Sequence, residues 1–381
     1  MCSPARAQGT GRRTLECAQC QDVIVTTDPA TDDRSPGVPN RPSAATLRDV
    51  AEAAGVSKAS ASRALDPASQ YVSSSMRARV LEAAGRLGYR PNASARATTT
   101  GATTMVAVLV SDIRDPYNAE IVHGVIEQAG VSGLVATFAG TDHAIDDEIR
   151  VVRMMRSLRP HAMILTGTRS GSTVSRASLE EELARYTQEG GRVVIAGDDE
   201  LPFNTAVIPR RRGASALVAE LFRLGYRSPA LIRPGHETAA ARQWEDGVVE
   251  AADRLGMRIE RGAVARAPMT RDGGYDAAAG LIARRPEHLD VVLAATDAMA
   301  IGAMTAMRDA GLTPGAEIGV AGFDDVVGVE DVTPNLTSVD LALARAGAAA
   351  VELALTGSGD RLRIEFEPRV VVRGTTPARP G

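Results

Sequence analysis

Residues 46–65, TLRDVAEAAGVSKASASRAL, predict two short helices joined by a tight turn. Thr46 can cap the first helix, and Asp49, three residues later, can return a hydrogen bond to the amide of the cap. Gly55 can end that helix in a left-handed conformation at no steric cost. Ser57 can then cap a second helix that runs to the end of the stretch. We interpret the pair as a helix-turn-helix.

Helices of this length are marginally stable alone, so a third helix is needed to close a core. Ser73 can cap such a helix, and Gly88 and Pro91 can end it. The second helix is predicted to bury Ala61, Ala64 and Leu65. The third is predicted to turn inward Val80, Leu81, Ala84 and Leu87.

The opposite face of the second helix is polar and carries Lys58, Ala59, Ser60, Ser62 and Arg63. A helix in the major groove reads base edges with side chains near its N-terminus, and Arg is the commonest reader of guanine. An ordinary solvated helical hairpin would show the same pattern. The residues alone therefore leave both interpretations open.

The run 46–65, followed by YVSSSMRARVLEAAGRLGYRPNASAR (71–96), resembles the LacI/GalR family of bacterial repressors. The resemblance extends more loosely to EPRVVVRGTT, so it covers about residues 44–375. It implies an all-α helix-turn-helix head plus an α/β two-lobed periplasmic-binding-protein-like (type I) effector domain. It also implies a sequence-specific transcriptional regulator, most often a repressor. DNA contacts are expected from Thr46, Ser57, Lys58, Ala59, Ser60, Arg63, Tyr71, Ser73, Asn92, Arg96 and Thr98.

The charge distribution agrees with a basic head on an acidic body. The chain of 381 residues has a formal net charge of −4, yet residues 41–100 hold nine Lys/Arg against four Asp/Glu. Such a segment suits phosphate binding. Cys2, Cys17 and Cys20 supply at most half of a tetrahedral zinc site, so we expect no metal and no cofactor. We find no run long enough to span a membrane and no signal peptide, which favours the cytoplasm.

The segments that flank the head have different predicted roles. Residues 1–43 are rich in Pro, Gly, Thr and Asp without periodicity, and we expect them to be disordered. The head itself is assigned to 44–90 and a hinge to 91–103. In relatives the hinge becomes a helix on operator DNA and inserts a leucine into the minor groove. Here Thr98 stands at that position and Ser94 replaces an apolar residue, so either a weaker wedge or a plain flexible linker fits.

From residue 104 to 376 short apolar runs alternate with helical patterns, beginning with MVAVLV (105–110). Repeated βαβ units require parallel sheets covered by helices. Two such series predict an N-lobe at about 104–205 and 330–356 and a C-lobe at about 206–328 and 360–376. We expect the chain to cross between the lobes near 204–207, 326–334 and 355–362.

Ligands of open α/β sheets lie beyond the carboxyl ends of the strands. Matches to family loops there suggest effector contacts from Asp115, Tyr117, Thr296 and Asp324. Asp324 fits a structural turn as well as a ligand contact. Asp297 fits either a ligand contact or a helix N-cap.

Other pocket positions depart from the family pattern. Trp244 stands where relatives carry an Arg that binds sugar hydroxyls. Arg242, two residues earlier, is either a substitute for that Arg or a surface charge. Trp244 fits either a stacking platform or ordinary core filling. Gly197, followed by Asp198, replaces the Asp that usually ends a strand, and Pro209-Arg210 replaces an Asp-Asn pair. The effector is therefore either a sugar or a related metabolite, or there is none.

The expected partners are double-stranded operator DNA, a small-molecule effector and a second copy of the chain. One head covers about half of an operator, which favours a homodimer. A solute-binding receptor shares the two lobes, but the basic head argues against it. The sequence shows no phosphate loop, dinucleotide fingerprint or nucleophile elbow, so an enzyme is the weakest hypothesis.

Overall fold

The computed structural model describes residues 45–65, 69, 72–89, 103–141, 144–167, 172–284, 288–356 and 360–379. The chain forms two compact units that divide after Pro91. The extension assigned to 1–43 lies outside the described residues, as does the hinge assigned to 91–103 except for Thr103.

The smaller unit consists of three helices, α1 (Leu47–Ala54), α2 (Lys58–Leu65) and α3 (Ser74–Arg86). The Thr46 amide donates to Asp49 Oδ2 at 2.8 Å, and the Asp49 amide donates to Thr46 Oγ1 at 3.4 Å. These two bonds form the capping box that the sequence predicts. Gly55 ends α1 at a φ of +64°, which glycine adopts without strain.

Small side chains fill the core of this unit, namely Val50, Ala51, Ala54, Ala61, Ala64, Val80, Ala83 and Ala84. Leu65 is only half-buried. The prediction that Leu81 and Leu87 face inward is wrong, because their side chains are 52% and 39% exposed. Successive residues of a helix are rotated by about 100°, so Leu81 points away when its neighbour Val80 occupies the core.

Strands and helices alternate through the larger unit. Its first series is β1 (Met105–Val110), α4 (Pro116–Val131), β2 (Val135–Gly140), α5 (Ile145–Ser157), β3 (Ala162–Thr166), α6 (Thr173–Gln188), β4 (Arg192–Gly197) and β5 (Asn204–Val207). The second is α7 (Arg210–Arg223), β6 (Pro229–Pro234), α8 (Ala239–Leu255), β7 (Val264–Ala267), α9 (Arg271–Arg284), β8 (Val291–Ala294), α10 (Asp297–Asp309) and β9 (Gly319–Ala321). The chain closes with β10 (Ser338–Asp340), α11 (Leu343–Leu355), β11 (Arg363–Glu365) and β12 (Arg369–Val371).

The first lobe is built on a parallel sheet with the strand order β11-β5-β4-β3-β1-β2. Both of its faces are covered. In β1, Val106 and Val108 belong to one apolar cluster, whereas Ala107 and Leu109 belong to another. A continuous apolar run is the pattern that a strand buried on both faces requires.

The second lobe is built on a parallel sheet with the order β7-β6-β8-β9. Strands β10 and β12 pair antiparallel beside it. Single bridges join Thr337 to Ala321 and Asp340 to Asp324. These contacts attach β10 and β12 to the second lobe.

The chain crosses between the lobes after Val207, after Asp340 and after Glu365. The second crossing lies later than the predicted range 326–334, because the segment 337–340 is paired within the second lobe. The third follows the predicted range 355–362, because β11 pairs with β5 in the first sheet. The lobe boundaries expected near 330 and 360 shift accordingly.

Helices α4 and α11 approach each other closely at two glycines. A Cβ placed on Gly124 would lie 1.8 Å from the Ala344 carbonyl oxygen, and one on Gly347 would lie 2.0 Å from the Ile121 carbonyl oxygen. Neither distance is sterically possible, so this contact depends on the absence of both side chains.

Among the helices that the structure describes, none is long and apolar enough to cross a membrane.

Candidate functional site

Helix α2 separates a buried face from an exposed one. Ala61 and Ala64 are buried, whereas Lys58 and Arg63 are exposed. The Ser60 amide donates to Ser57 Oγ at 3.1 Å, which satisfies a free amide in the first turn. The helix therefore presents a short, mostly polar surface along its exposed face. We define this reading surface as Ser57, Lys58, Ala59, Ser60, Ser62 and Arg63.

The other predicted DNA contacts are divided between caps and undescribed residues. Thr46 is the N-cap of α1. Ser73 is the N-cap of α3, and its side chain accepts a hydrogen bond from the Met76 amide at 3.3 Å. Both side chains are exposed at helix N-termini, where backbone amides favour phosphate. The remaining four predicted contacts lie outside the described residues, namely Tyr71, Asn92, Arg96 and Thr98.

A cleft lies between the two lobes of the larger unit, and the 480 Å³ of space it outlines includes open solvent. The first lobe contributes the loop after β1, the start of α4 and the end of β3. The second contributes the start of α7, much of α8 and the loops after β6, β8 and β9. This is the carboxyl edge of both sheets, as expected for open α/β folds. The cleft is lined by Ser111, Asp115, Tyr117, Asn118, Gly167, Arg210, Pro234, Thr238, Ala240, Ala241, Trp244, Met269, Ala295, Thr296, Phe323 and Asp324.

Five of the six predicted effector residues line this cleft, namely Asp115, Tyr117, Trp244, Thr296 and Asp324. Two of them also cap helices: Asp115 Oδ1 accepts from the Tyr117 amide at 3.1 Å, and Thr296 Oγ1 accepts from the Met299 amide at 3.3 Å. Their contacts with an effector stay a prediction.

Arg242 does not line the cleft. Its side chain is half exposed, and one guanidinium nitrogen lies 3.8 Å from Glu200. Trp244, two residues later on α8, faces inward instead and is 2% exposed. Its indole Nε1 is buried without a hydrogen-bond partner. The residue lines the cleft and also belongs to the apolar core, and its stacking against an effector stays a prediction.

Arg210 lines the cleft, although the sequence presents it only as a departure from the family pattern. It is the first residue of α7, and its side chain is buried. The guanidinium carbon lies 4.4 Å from the ring centre of Tyr117. Nε lies 3.7 Å from Asp198 Oδ1, and Nη1 lies 3.8 Å from Asp324 Oδ1. In the sequence, this Arg follows the first crossover in place of a residue of the family's Asp-Asn pair. That departure indicates only the loss of sugar-binding groups.

Asp324 faces this cation from the loop after β9. Its φ is +105° and its Oδ1 is buried without a hydrogen bond. Burial raises the pKa of Asp324 well above its ordinary value, Arg210 opposes that rise, and Asp297 and Asp115 add to it. Burial likewise raises the pKa of the Tyr117 phenol.

Asp297 is neither the N-cap of α10 nor a residue of the cleft wall. Thr296 supplies the cap. Asp297 Oδ2 accepts from the Val326 amide at 2.9 Å, and Oδ1 accepts from Ser338 Oγ at 2.5 Å. Burial raises the pKa of Asp297 to about 7. The carboxyl thus ties the loop that carries Asp324 to α10 and β10. Within the described ranges, no group of three or more His, Cys, Asp or Glu side chains is arranged to hold a metal ion.

The chain is similar to known proteins in both units. Residues 46–92 match the model for bacterial regulatory proteins of the lacI family, and residues 218–376 match the model for a periplasmic binding protein-like domain. The chain is 28% identical over 334 residues to the HTH-type transcriptional regulator GalS of Salmonella typhimurium, covering 86% of this chain and 95% of GalS.

It is also 28% identical over 347 residues to the HTH-type transcriptional repressor CytR of Escherichia coli, covering 88% of this chain and 98% of CytR. The crystal structure of the lac repressor dimer bound to operator and the anti-inducer ONPF superimposes with a TM-score of 0.78. At 23% identity over 88% of this chain and 99% of that chain, this likeness shows the fold. The relatives are DNA-binding regulators rather than enzymes. The matched head, the matched two-lobed domain and the relatives aligned across both place the chain in the LacI/GalR family of bacterial transcriptional regulators.

Proposed function

We propose that the protein is a cytoplasmic repressor that binds a near-palindromic operator as a homodimer and responds to a small effector in the cleft. The observation that carries the proposal is the reading surface of α2. Its exposed Lys58 and Arg63 lie opposite the buried Ala61 and Ala64. The exposed face can therefore enter a major groove while the buried face stays packed in the core of the three-helix unit.

The homodimer is supported by an exposed apolar surface on the first lobe. Strand β2 is an edge of the sheet, and α4 packs beside it. Val131 and Val135 are 84% and 62% exposed there, and Ile126 and Phe138 are also exposed. Apolar groups grouped at a sheet edge are typical of a surface that a partner covers. We assign a second copy of this chain to it, since a single head covers only half of an operator.

The domain assignment follows from these roles. We assign 44–90 to DNA binding, 91–103 to the hinge, and 104–376 to effector binding and dimerisation, with the lobes exchanging chain after Val207, Asp340 and Glu365. An effector that favours one angle between the lobes would change the spacing of the two heads. A coupling of about 1–3 kcal/mol corresponds to a change in operator affinity of roughly 5- to 150-fold.

A gel-shift titration tests the proposal. The full-length protein is titrated against DNA from upstream of its own gene and against a scrambled fragment of equal length, at a stated salt concentration because phosphate contacts are salt-dependent. We expect tighter binding to the upstream fragment and a protected site with two related halves. Equal affinity for both fragments, at low and at moderate salt, would contradict the proposal.

A further inference from the structure

The guanidinium of Arg210 is buried in the cleft, and no residue that the structure describes accepts a hydrogen bond from it. The residue is 7% exposed, and its enclosed Nε lacks a hydrogen-bond partner. The nearest carboxylate oxygens, on Asp198 and Asp324, lie 3.7 and 3.8 Å away, beyond hydrogen-bond distance. A buried charged donor left without an acceptor is costly, so a ligand that supplies the acceptor would be bound strongly.

The shape of this donor group selects the acceptor. A guanidinium presents its N–H groups in a planar fork that matches the two oxygens of a carboxylate. The Tyr117 ring lies against the guanidinium and restricts its position. A dianionic phosphate fits less well, because Asp115, Asp198 and Asp324 surround the same space. A planar monoanion meets less repulsion.

The rest of the cleft indicates what the acid carries. The Oδ1 atoms of Asn118 and Asp324 are buried without a hydrogen bond, and both are acceptors that suit hydroxyl groups. Trp244, Met269 and Phe323 also line the cleft and provide apolar surface for one face of a ring or a short carbon chain.

We propose that the effector is a polyhydroxylated carboxylic acid, whose carboxylate pairs with Arg210 and whose hydroxyls donate to the side-chain oxygens of the cleft. This inference rests on the proposed function, because it assigns a ligand class to the effector cleft. It makes Arg210 the residue that distinguishes an acid from the corresponding neutral sugar.

Calorimetric titration of the full-length protein tests the ligand class directly. The probes are D-glucuronate, D-galacturonate and D-gluconate, each compared with a neutral counterpart: D-glucuronamide, D-galactose and D-glucose. We expect at least one acid to bind ten-fold or more tightly than its counterpart. Equal or tighter binding of the neutral compounds, tighter binding of D-glucose 6-phosphate, or no binding by any acid would overturn the inference.

Variants then test the role of Arg210. Arg210→Gln is expected to reduce the preference for the acid to less than about three-fold, and Arg210→Lys, which keeps the charge but not the fork, to leave an intermediate preference. Arg212→Gln on the same helix is the control, because Arg212 pairs at the surface with Glu365 and Glu367. An acid preference retained in a folded Arg210→Gln protein would overturn the assignment. If that variant does not fold, the acid preference of Arg210→Lys is compared with that of the unmodified protein, and an equal preference in the two would overturn the assignment.

The gel shift separates this inference from the proposed function. Selective binding to upstream DNA without any acid binding would overturn the ligand class and leave the regulator intact. Acid binding by a protein that shows no DNA preference would overturn the proposed regulator and leave the ligand class intact.

Discussion

The Tyr117 ring of the first lobe lies 4.4 Å from the guanidinium carbon of Arg210, which belongs to the second lobe. This contact joins the two lobes across the cleft in a region shielded from water. A cation over an aromatic ring contributes about 2 kcal/mol when both groups are desolvated.

Removing the ring should therefore weaken the larger unit. We expect Tyr117→Leu to lower the free energy of unfolding by about 2 kcal/mol or more, because it removes the cation–ring contact and apolar packing. Tyr117→Phe keeps the ring and removes a hydroxyl that has no hydrogen-bond partner, so it should change stability little. Urea unfolding of both variants measures the difference. Equal losses would mean that the ring contact contributes nothing.

Arg63 should carry sequence preference. Arg63→Ala is expected to remove the discrimination between the upstream site and scrambled DNA, a loss of about 1–3 kcal/mol if the residue pairs with guanine. Arg86→Ala, which removes an exposed charge from the end of α3, is the control and should retain discrimination. A competitive gel shift at fixed salt compares the two. Discrimination that survives in the Arg63 variant would exclude Arg63 from the reading surface.

Trp244 should report ligand binding. It is the single tryptophan of the chain and lines the cleft, so its fluorescence comes from one place. We expect any compound that changes the gel shift to alter the intensity or the wavelength of this emission with the same apparent Kd. A compound that changes DNA binding but leaves the emission constant would indicate a ligand site elsewhere.

Stability should fall as the pH rises from 3.8 to about 7, and the fall should level off above that pH. The pKa of Asp297 is about 7 in the folded chain, compared with an ordinary 3.8. Between these values the folded state holds more protons than the unfolded state, so the free energy of unfolding decreases with rising pH. Asp324, whose pKa is also raised, acts in the same direction. Urea unfolding between pH 5 and pH 8 measures the slope, which Asp297→Asn should reduce. An unchanged slope in that variant would mean that Asp297 does not titrate in this range.

The glycine contact between α4 and α11 should not tolerate a methyl group. Gly124→Ala would place a carbon 1.8 Å from the Ala344 carbonyl oxygen, and we expect a loss of about 1–3 kcal/mol. Gly130→Ala on the same helix meets no atom within 4 Å, so it should be neutral or stabilising by about 0.5–1 kcal/mol. Thermal unfolding of the two variants gives the comparison. Equal melting temperatures would show that the helices can separate without cost.

The features that sequence predicts well are local ones. The Thr46 and Asp49 capping box and the Gly55 turn each depend on residues within one helical turn. The burial of β1 follows from its own six residues. The sequence does not decide which way Leu81 points, because several apolar residues of α3 compete for one narrow buried face and local spacing does not choose between them.

The features that sequence misses depend on distant residues. Arg210 is surrounded by Tyr117, Asp198 and Asp324, which lie far apart along the chain and meet only when the lobes come together. Without that arrangement, an Arg at a helix start is typical of the surface. The choice between Arg242 and Trp244 depends in the same way on which face of α8 packs inward.

Arg210 also lies three residues after Val207, the last residue of the strand at the first crossing. When the second lobe rotates about that connection, the guanidinium moves with it, because only two residues separate Arg210 from the strand of the first lobe. A ligand bound to this side chain would therefore act directly beside the connection between the lobes, and no intervening residues would be needed to transmit its effect.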